Sequence, residues 1–214
     1  MAARRAATPA ASPRVLVIAC GALARELLAV IELNGWSHMS VTCLPAKLHN
    51  EPRKITAAVR AKIRAGRRRF ERILCLYGDC GTGGLLDAML AEEGVERIDG
   101  AHCYEFYAGS ADFAAMAEAE PGTFYLTDYL VRHFDRLMIK GLGLDRHPEL
   151  LVDYFGNYRR VVYLAQTDDA QLRERASAAA TRLGLALEIR PTGLDGLQRF
   201  LGERARDNPE LWHS

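Results

Sequence analysis

The chain holds 214 residues, 49% of them hydrophobic and 26% charged, with a formal net charge of +1. That length suits one α/β domain, since single domains run to roughly 100–200 residues, and the near-neutral balance argues against a nucleic-acid backbone or a membrane surface as partner, because both select a basic face. Hydrophobic runs stay short of the roughly 20 residues of a membrane span, and five cysteines, an odd and small number, argue against a disulfide scaffold and for reduced thiols in the cytoplasm.

Residues 1–13, MAARRAATPAASP, carry two arginines and no acid, which predicts a disordered tail ahead of a single α/β domain over 14–214. The apolar run 15–19 reads as a strand covered on both faces. Leu23, Leu27, Leu28 and Ile31 then recur at helical spacing until Asn34-Gly35 stops them. A second strand is expected over 40–43, followed by a helix over 52–65 with Pro52 in its first turn, where a missing N–H does no harm. Residues 72–77 form the third strand, 85–91 lie in a helix closed by Gly94, and 95–98 make a short fourth strand. From about 111 to 155 the pattern predicts a helical insertion. A fifth strand at 160–165, a helix over 169–183, a sixth strand at 186–189 and a helix over 194–204 complete the chain. Strands alternating with helices predict a doubly wound, mostly parallel sheet with helices on both faces, a Rossmann-like three-layer α/β fold. Ligands in such sheets sit beyond the carboxyl ends of the strands.

Those ends carry thiols. Cys20, Cys43, Cys80 and Cys103 each fall at or just after one of the first four strands, whereas Cys75 lies inside the third. Thiolates are soft ligands for zinc or an iron–sulfur cluster, and a sheet edge can collect them from distant positions. No Cys-x-x-Cys pair supports this, and a cysteine also serves as a small buried hydrophobe. His49 adds a candidate nitrogen ligand. After the third strand, Gly81, Thr82, Gly83 and Gly84 open a helix, where backbone N–H groups can receive an anion; the same glycines also suit close packing. This turn lacks the Lys-Ser/Thr ending of a P-loop, and the first strand lacks a G-x-G-x-x-G turn.

His102, Cys103, Tyr104, Glu105, Phe106 and Tyr107 combine polar and aromatic groups as a pocket wall does. Glu105, Asp79 and His102 are the candidate groups for proton transfer or ligand orientation, with a solvated carboxylate as the plainer reading of Glu105. Asp128 and Arg132 share a helix face and read as a surface ion pair, while His133 falls about 140° round from Asp128. His147 is a candidate ligand for a second site. The aromatics of 154–160 are expected to pack at the opposite sheet edge, and Gln166-Thr167-Asp168 to complete the crevice. The basic run 64–72 reads as a solvated turn.

The segments IACGAL, CLPAKLHN, YGDCGTGG, HCYEFYAG, EPGTFYLTDYLVRHFD, GLGLDRHPEL and YFGNYRRVVYLAQT together resemble the uncharacterised family known as domain of unknown function 1638, over nearly all of 15–201. The resemblance implies no established activity and carries over no catalytic residue. It implies an association with corrinoid-dependent methyltransferase systems for methylamines and betaines. The function expected is therefore a metal- or cluster-binding α/β protein of corrinoid-linked one-carbon metabolism. Cys80, Cys103 and His49, with Cys20 and Cys43, would hold a zinc ion or an iron–sulfur cluster, and a corrinoid is a further cofactor that the resemblance implies. Two other readings stand beside it. One is a non-catalytic accessory protein that binds a small molecule or a corrinoid methyltransferase system protein. The other is a thiol-nucleophile enzyme using Cys80 or Cys103 with His102 as base, which needs a depressed cysteine pKa.

Overall fold

The computed structural model describes residues 13–205, so the tail expected over 1–13 lies outside the described residues except for Pro13. Strand β1 (Val15–Cys20) is buried along its whole length, as a central parallel strand between two helical layers must be. After a short turn, helix α1 (Ala24–Leu33) leads to β2 (Met39–Leu44), and α2 (Ile55–Gly66) to β3 (Arg72–Leu76). Helix α3 (Leu85–Glu93) ends on Gly94 in the left-handed conformation, and the chain passes through β4 (Glu96–Arg97) into α4 (Cys103–Ala108) and α5 (Ser110–Ala119). The second half holds β5 (Thr123–Thr127), α6 (Asp128–Arg132), a π-helical turn over Asp135–Lys140, and α7 (Leu151–Phe155). It ends with β6 (Arg160–Ala165), α8 (Ala170–Leu183), β7 (Ala186–Pro191) and α9 (Asp195–Ala205).

The α/β class and parallel pairing follow the sequence pattern, but the strands divide into two sheets where one was expected. The first has the order β2-β1-β3-β4 and the second β5-β6-β7, every pairing being parallel. Strand β5 lies inside the stretch read as a helical insertion. Its residues run directly into helical ones in TFYLTDYLVRHFD, so the apolar spacing of α6 masks the strand; the Pro121-Gly122 turn ahead of it was the available signal. Because β4 pairs over only two residues, it offers little ladder for a further strand, and β5 instead pairs along all five of its residues with β6.

The two halves are tied together by crossings. Leu197, Phe200 and Leu201 of α9 return from the second sheet to the core of the first. This return requires Gly196, because a Cβ there would lie 1.8 Å from the Phe106 carbonyl oxygen on α4. In the other direction Tyr104 of α4 packs with Tyr125, Val162 and Leu164 of the second sheet, its ring centroid 5.4 Å from that of Tyr125. The aromatics before β6 do pack, Phe155 and Tyr158 each standing edge-on to Phe124 at 5.3 Å.

Candidate functional site

Three thiols gather at the carboxyl edge of the first sheet. Cys20 ends β1 and is buried; its Sγ accepts from the Ala22 N–H at 3.3 Å and lies 3.8 Å from His49 Nδ1. His49 Nδ1 also lies 3.0 Å from the Ala46 carbonyl oxygen. A carbonyl only accepts, so Nδ1 carries the proton and Nε2 keeps its lone pair for a ligand. Cys80 and Cys103 arrive on the loops after β3 and β4, which are zipped together by Asp79 N–H to Gly100 O at 3.3 Å and Cys80 N–H to Ala101 O at 3.0 Å. Gly78 permits this approach, since a Cβ there would meet the Ala101 carbonyl oxygen at 2.9 Å. Among the described residues Cys80 alone, glycines aside, has a positive φ, at 50°. Such strain costs about 1–3 kcal/mol and concentrates at functional sites.

The remaining cysteines are near enough for Cys43 to raise Cys20 and for Cys80 to raise Cys75 through charge, but they differ in placement. Cys43 is registered with Ala19 rather than Cys20, so pleat alternation sets it on the opposite side of the sheet from Cys20. Cys75 is interior to β3 and fully buried, as expected for packing.

Burial raises every one of the five thiols. Cys20 and Cys80 are pushed up to about 11, and Cys75 to about 12. Cys43 and Cys103 move the same way. For Cys80 the next cause after burial is the charge of Cys20, and for Cys103 the charges of Cys80 and then Cys20. The three are therefore close enough to oppose one another's ionisation. A nucleophilic cysteine needs the opposite shift, so this arrangement gives no support to a thiol-nucleophile enzyme. His49 is exposed at the surface, yet desolvation by the surrounding chain, with the charge of His102 adding to it, lowers its pKa, which favours the neutral, ligating form. Beside Cys20 the ring of Tyr77 stacks on His49, centroids 6.3 Å apart, and its buried hydroxyl has no hydrogen bond of normal geometry.

The other expected site residues take structural roles. Asp79 accepts from the Thr82 hydroxyl at 2.6 Å and from the N–H groups of Gly84 at 2.8 Å and Gly83 at 3.1 Å. Those donors, chiefly the Thr82 hydroxyl, lower its pKa. The anion received by the turn Gly81, Thr82, Gly83, Gly84 is thus the chain's own carboxylate, which corrects the expectation of an open cofactor cradle. Glu105 likewise accepts from the N–H groups of Ala101 at 2.7 Å and His102 at 3.3 Å, closing the entry to α4. Asp79 and Glu105 therefore hold loops in place of moving protons. His102 is exposed, its ring against Tyr104 and Phe113. His147 pairs with Glu149 at 3.2 Å, away from any thiol. Among the described residues no three His, Cys, Asp or Glu side chains are grouped to hold a single metal ion.

The sequence reading missed the seam between the two sheets. Glu26, in the first turn of α1, is 4% exposed and pairs with Arg132 at 3.3 Å; Arg132 in turn reaches Asp128 at 3.4 Å. Asp128 is fully buried and accepts from Tyr163 Oη at 2.7 Å, Thr167 Oγ1 at 2.5 Å and the Gln166 N–H at 3.0 Å, while Gln166 Oε1 receives the Asp128 N–H at 2.7 Å. The expected surface pair is thus a buried network, and Gln166 and Thr167, expected to complete a crevice, are bonded into it. Glu26 falls between Leu23, Leu27 and Val30 on the buried helix face, and a carboxylate on an apolar stripe was the readable sign. Burial raises the Glu26 pKa above its ordinary 4.5. Between that value and the raised one the folded state binds the extra proton, so this group's contribution to stability falls as pH rises through the window. Glu26→Gln should flatten that fall; denaturant midpoints measured across the window check it, and an unchanged slope would count against the buried placement.

A family model described as "Protein of unknown function (DUF1638)" matches residues 43–201. No curated protein and no solved structure matches the chain. No helix among the described residues is long and apolar enough to cross a membrane. With most of the chain matched, including the loops that carry Cys80 and Cys103, the protein belongs to the DUF1638 family of unknown function.

Proposed function

We propose that the chain holds an iron–sulfur cluster, or a comparable multi-atom soft metal centre, on Cys20, Cys80 and Cys103, with His49 Nε2 as a fourth donor. One observation carries the reading: Cys20 Sγ lies 3.8 Å from His49 Nδ1 at the sheet edge where the loops bearing Cys80 and Cys103 are hydrogen-bonded to each other. A single zinc ion needs its ligands converged on one point, whereas a cluster presents separate irons to separate thiolates. The strained backbone of Cys80 supports the same location. Ligation would discharge the mutual repulsion of the thiols, because the metal's charge stabilises thiolates outright. The corrinoid methyltransferase system enters this proposal as partner class on the family resemblance alone.

Anaerobic reconstitution with ferrous iron and sulfide tests the reading. Broad visible absorption from thiolate-to-iron charge transfer is expected, with protection of three thiols from alkylation. Colourless protein that has taken up neither iron nor sulfide would refute it. The alternative, a non-catalytic accessory protein binding a small molecule or a corrinoid methyltransferase system protein, is favoured by the neutral thiols. It predicts that Cys80→Ser preserves ligand binding.

A further inference from the structure

The second half of the molecule carries a cavity that the cysteine edge does not use. It lies between the segment 131–140 and α8 and has a volume of about 600 Å³, within the roughly 300–1,000 Å³ typical of small-molecule sites. Arg132, Arg136, Lys140, Arg175 and Arg182 line it, with Asp135 as the carboxylate of the wall. Two of these cations are engaged: Arg182 with Asp135 at 2.8 Å, and Arg132 with Glu26 and Asp128. Arg136, Lys140 and Arg175 have no carboxylate within ion-pair distance among the described residues. Three uncompensated charges on one concave wall repel one another in the free protein, and a bound polyanion relieves that repulsion.

A second feature coincides with the first. Asp135–Lys140, which supplies Arg136 and Lys140, is a π-helical turn, a geometry frequent at functional sites. His133 faces the same cavity, and after burial the charges of Arg136 and Arg132 are what lower its pKa. It is thus held neutral by the cations and leaves them to set the field. Ala178, Ala179 and Val131 give an apolar floor, so the wall is charged and the base is not. Guanidinium forks match phosphate oxygens in pairs.

From this arrangement we propose that the cavity binds a small molecule bearing two or more phosphate groups, held by Arg136, Lys140 and Arg175. The cations are confined to one concave wall, and that favours a small ligand over an extended nucleic-acid strand, which needs a longer basic track.

Calorimetric titration of the full chain with inorganic tripolyphosphate at low ionic strength tests this. The expected result is saturable binding that weakens as salt rises and by at least about tenfold in an Arg136→Gln/Arg175→Gln variant. Lys140→Gln alone should weaken it by a smaller factor, and Arg64→Gln on α2 should leave it unchanged. All these side chains are exposed, so retained melting temperatures are expected and separate binding loss from unfolding. Absence of saturable binding, or equal affinity in the double variant, would overturn the proposal. So would a short single-stranded DNA that binds more tightly than tripolyphosphate and loses affinity in the same variants.

Discussion

Asp128→Ala should lower stability by about 3–5 kcal/mol, the range for removing one partner of a buried charge pair. The loss is large because the carboxylate serves four donors at once. Without it the Tyr163 hydroxyl, the Gln166 N–H and the Thr167 hydroxyl lose their acceptor, and Arg132 keeps only Glu26 across the seam. For a chain of this size that corresponds to a fall in Tm of roughly 6–20 °C. Asp128→Asn should cost less, since an amide oxygen still accepts from one or two of these donors. Asp135→Ala is the contrast: its pair with Arg182 is exposed on both sides, and such pairs contribute at most about 1 kcal/mol. Denaturant unfolding of the three variants checks the order. A loss within about 1 kcal/mol for Asp128→Ala would mean that the seam network does not hold the two sheets together.

The second large effect concerns the thiols. Cys20→Ser, Cys80→Ser and Cys103→Ser should each abolish or strongly reduce cluster incorporation, because three protein thiolates are already fewer than the usual four. Cys43→Ser should not, its side chain lying across the sheet from Cys20. Cys75→Ser should lower stability, by placing a hydroxyl in a fully buried strand position, while leaving incorporation per folded molecule intact. Iron and sulfide content after anaerobic reconstitution, normalised to folded protein, reads all five. If Cys43→Ser is as damaging as Cys80→Ser, the ligand set is wrong.

Much of this architecture was readable in the residues. The run Val15 to Cys20 announces a central strand because only a position covered on both faces tolerates continuous apolar residues. The strand-end positions of Cys80 and Cys103 followed from the same pattern. What could not be read was pairing. Period-two and period-3.6 patterns describe which face is buried, not which strand is the neighbour, so the division into two sheets stayed hidden. Asp79 and Glu105 show a related limit: an acid beside glycines and N–H groups reads equally as an open anion site with a solvent-facing base or as the internal anion that fills it. Only geometry separates the two. Glu26, one of two carboxylates in α1, looks like a solvent-facing residue until its position beside Leu23 and Val30 on the helix wheel is counted.

Whether Cys20, Cys80 and Cys103 hold a cluster is decided by composition. The most direct measurement is the iron and inorganic sulfide content of the full chain isolated without oxygen. Iron and sulfide are expected in comparable amounts, both absent from the Cys20→Ser/Cys80→Ser/Cys103→Ser variant under the same isolation. Native protein free of both, which takes up neither on reconstitution and keeps all three thiols titratable, would contradict it.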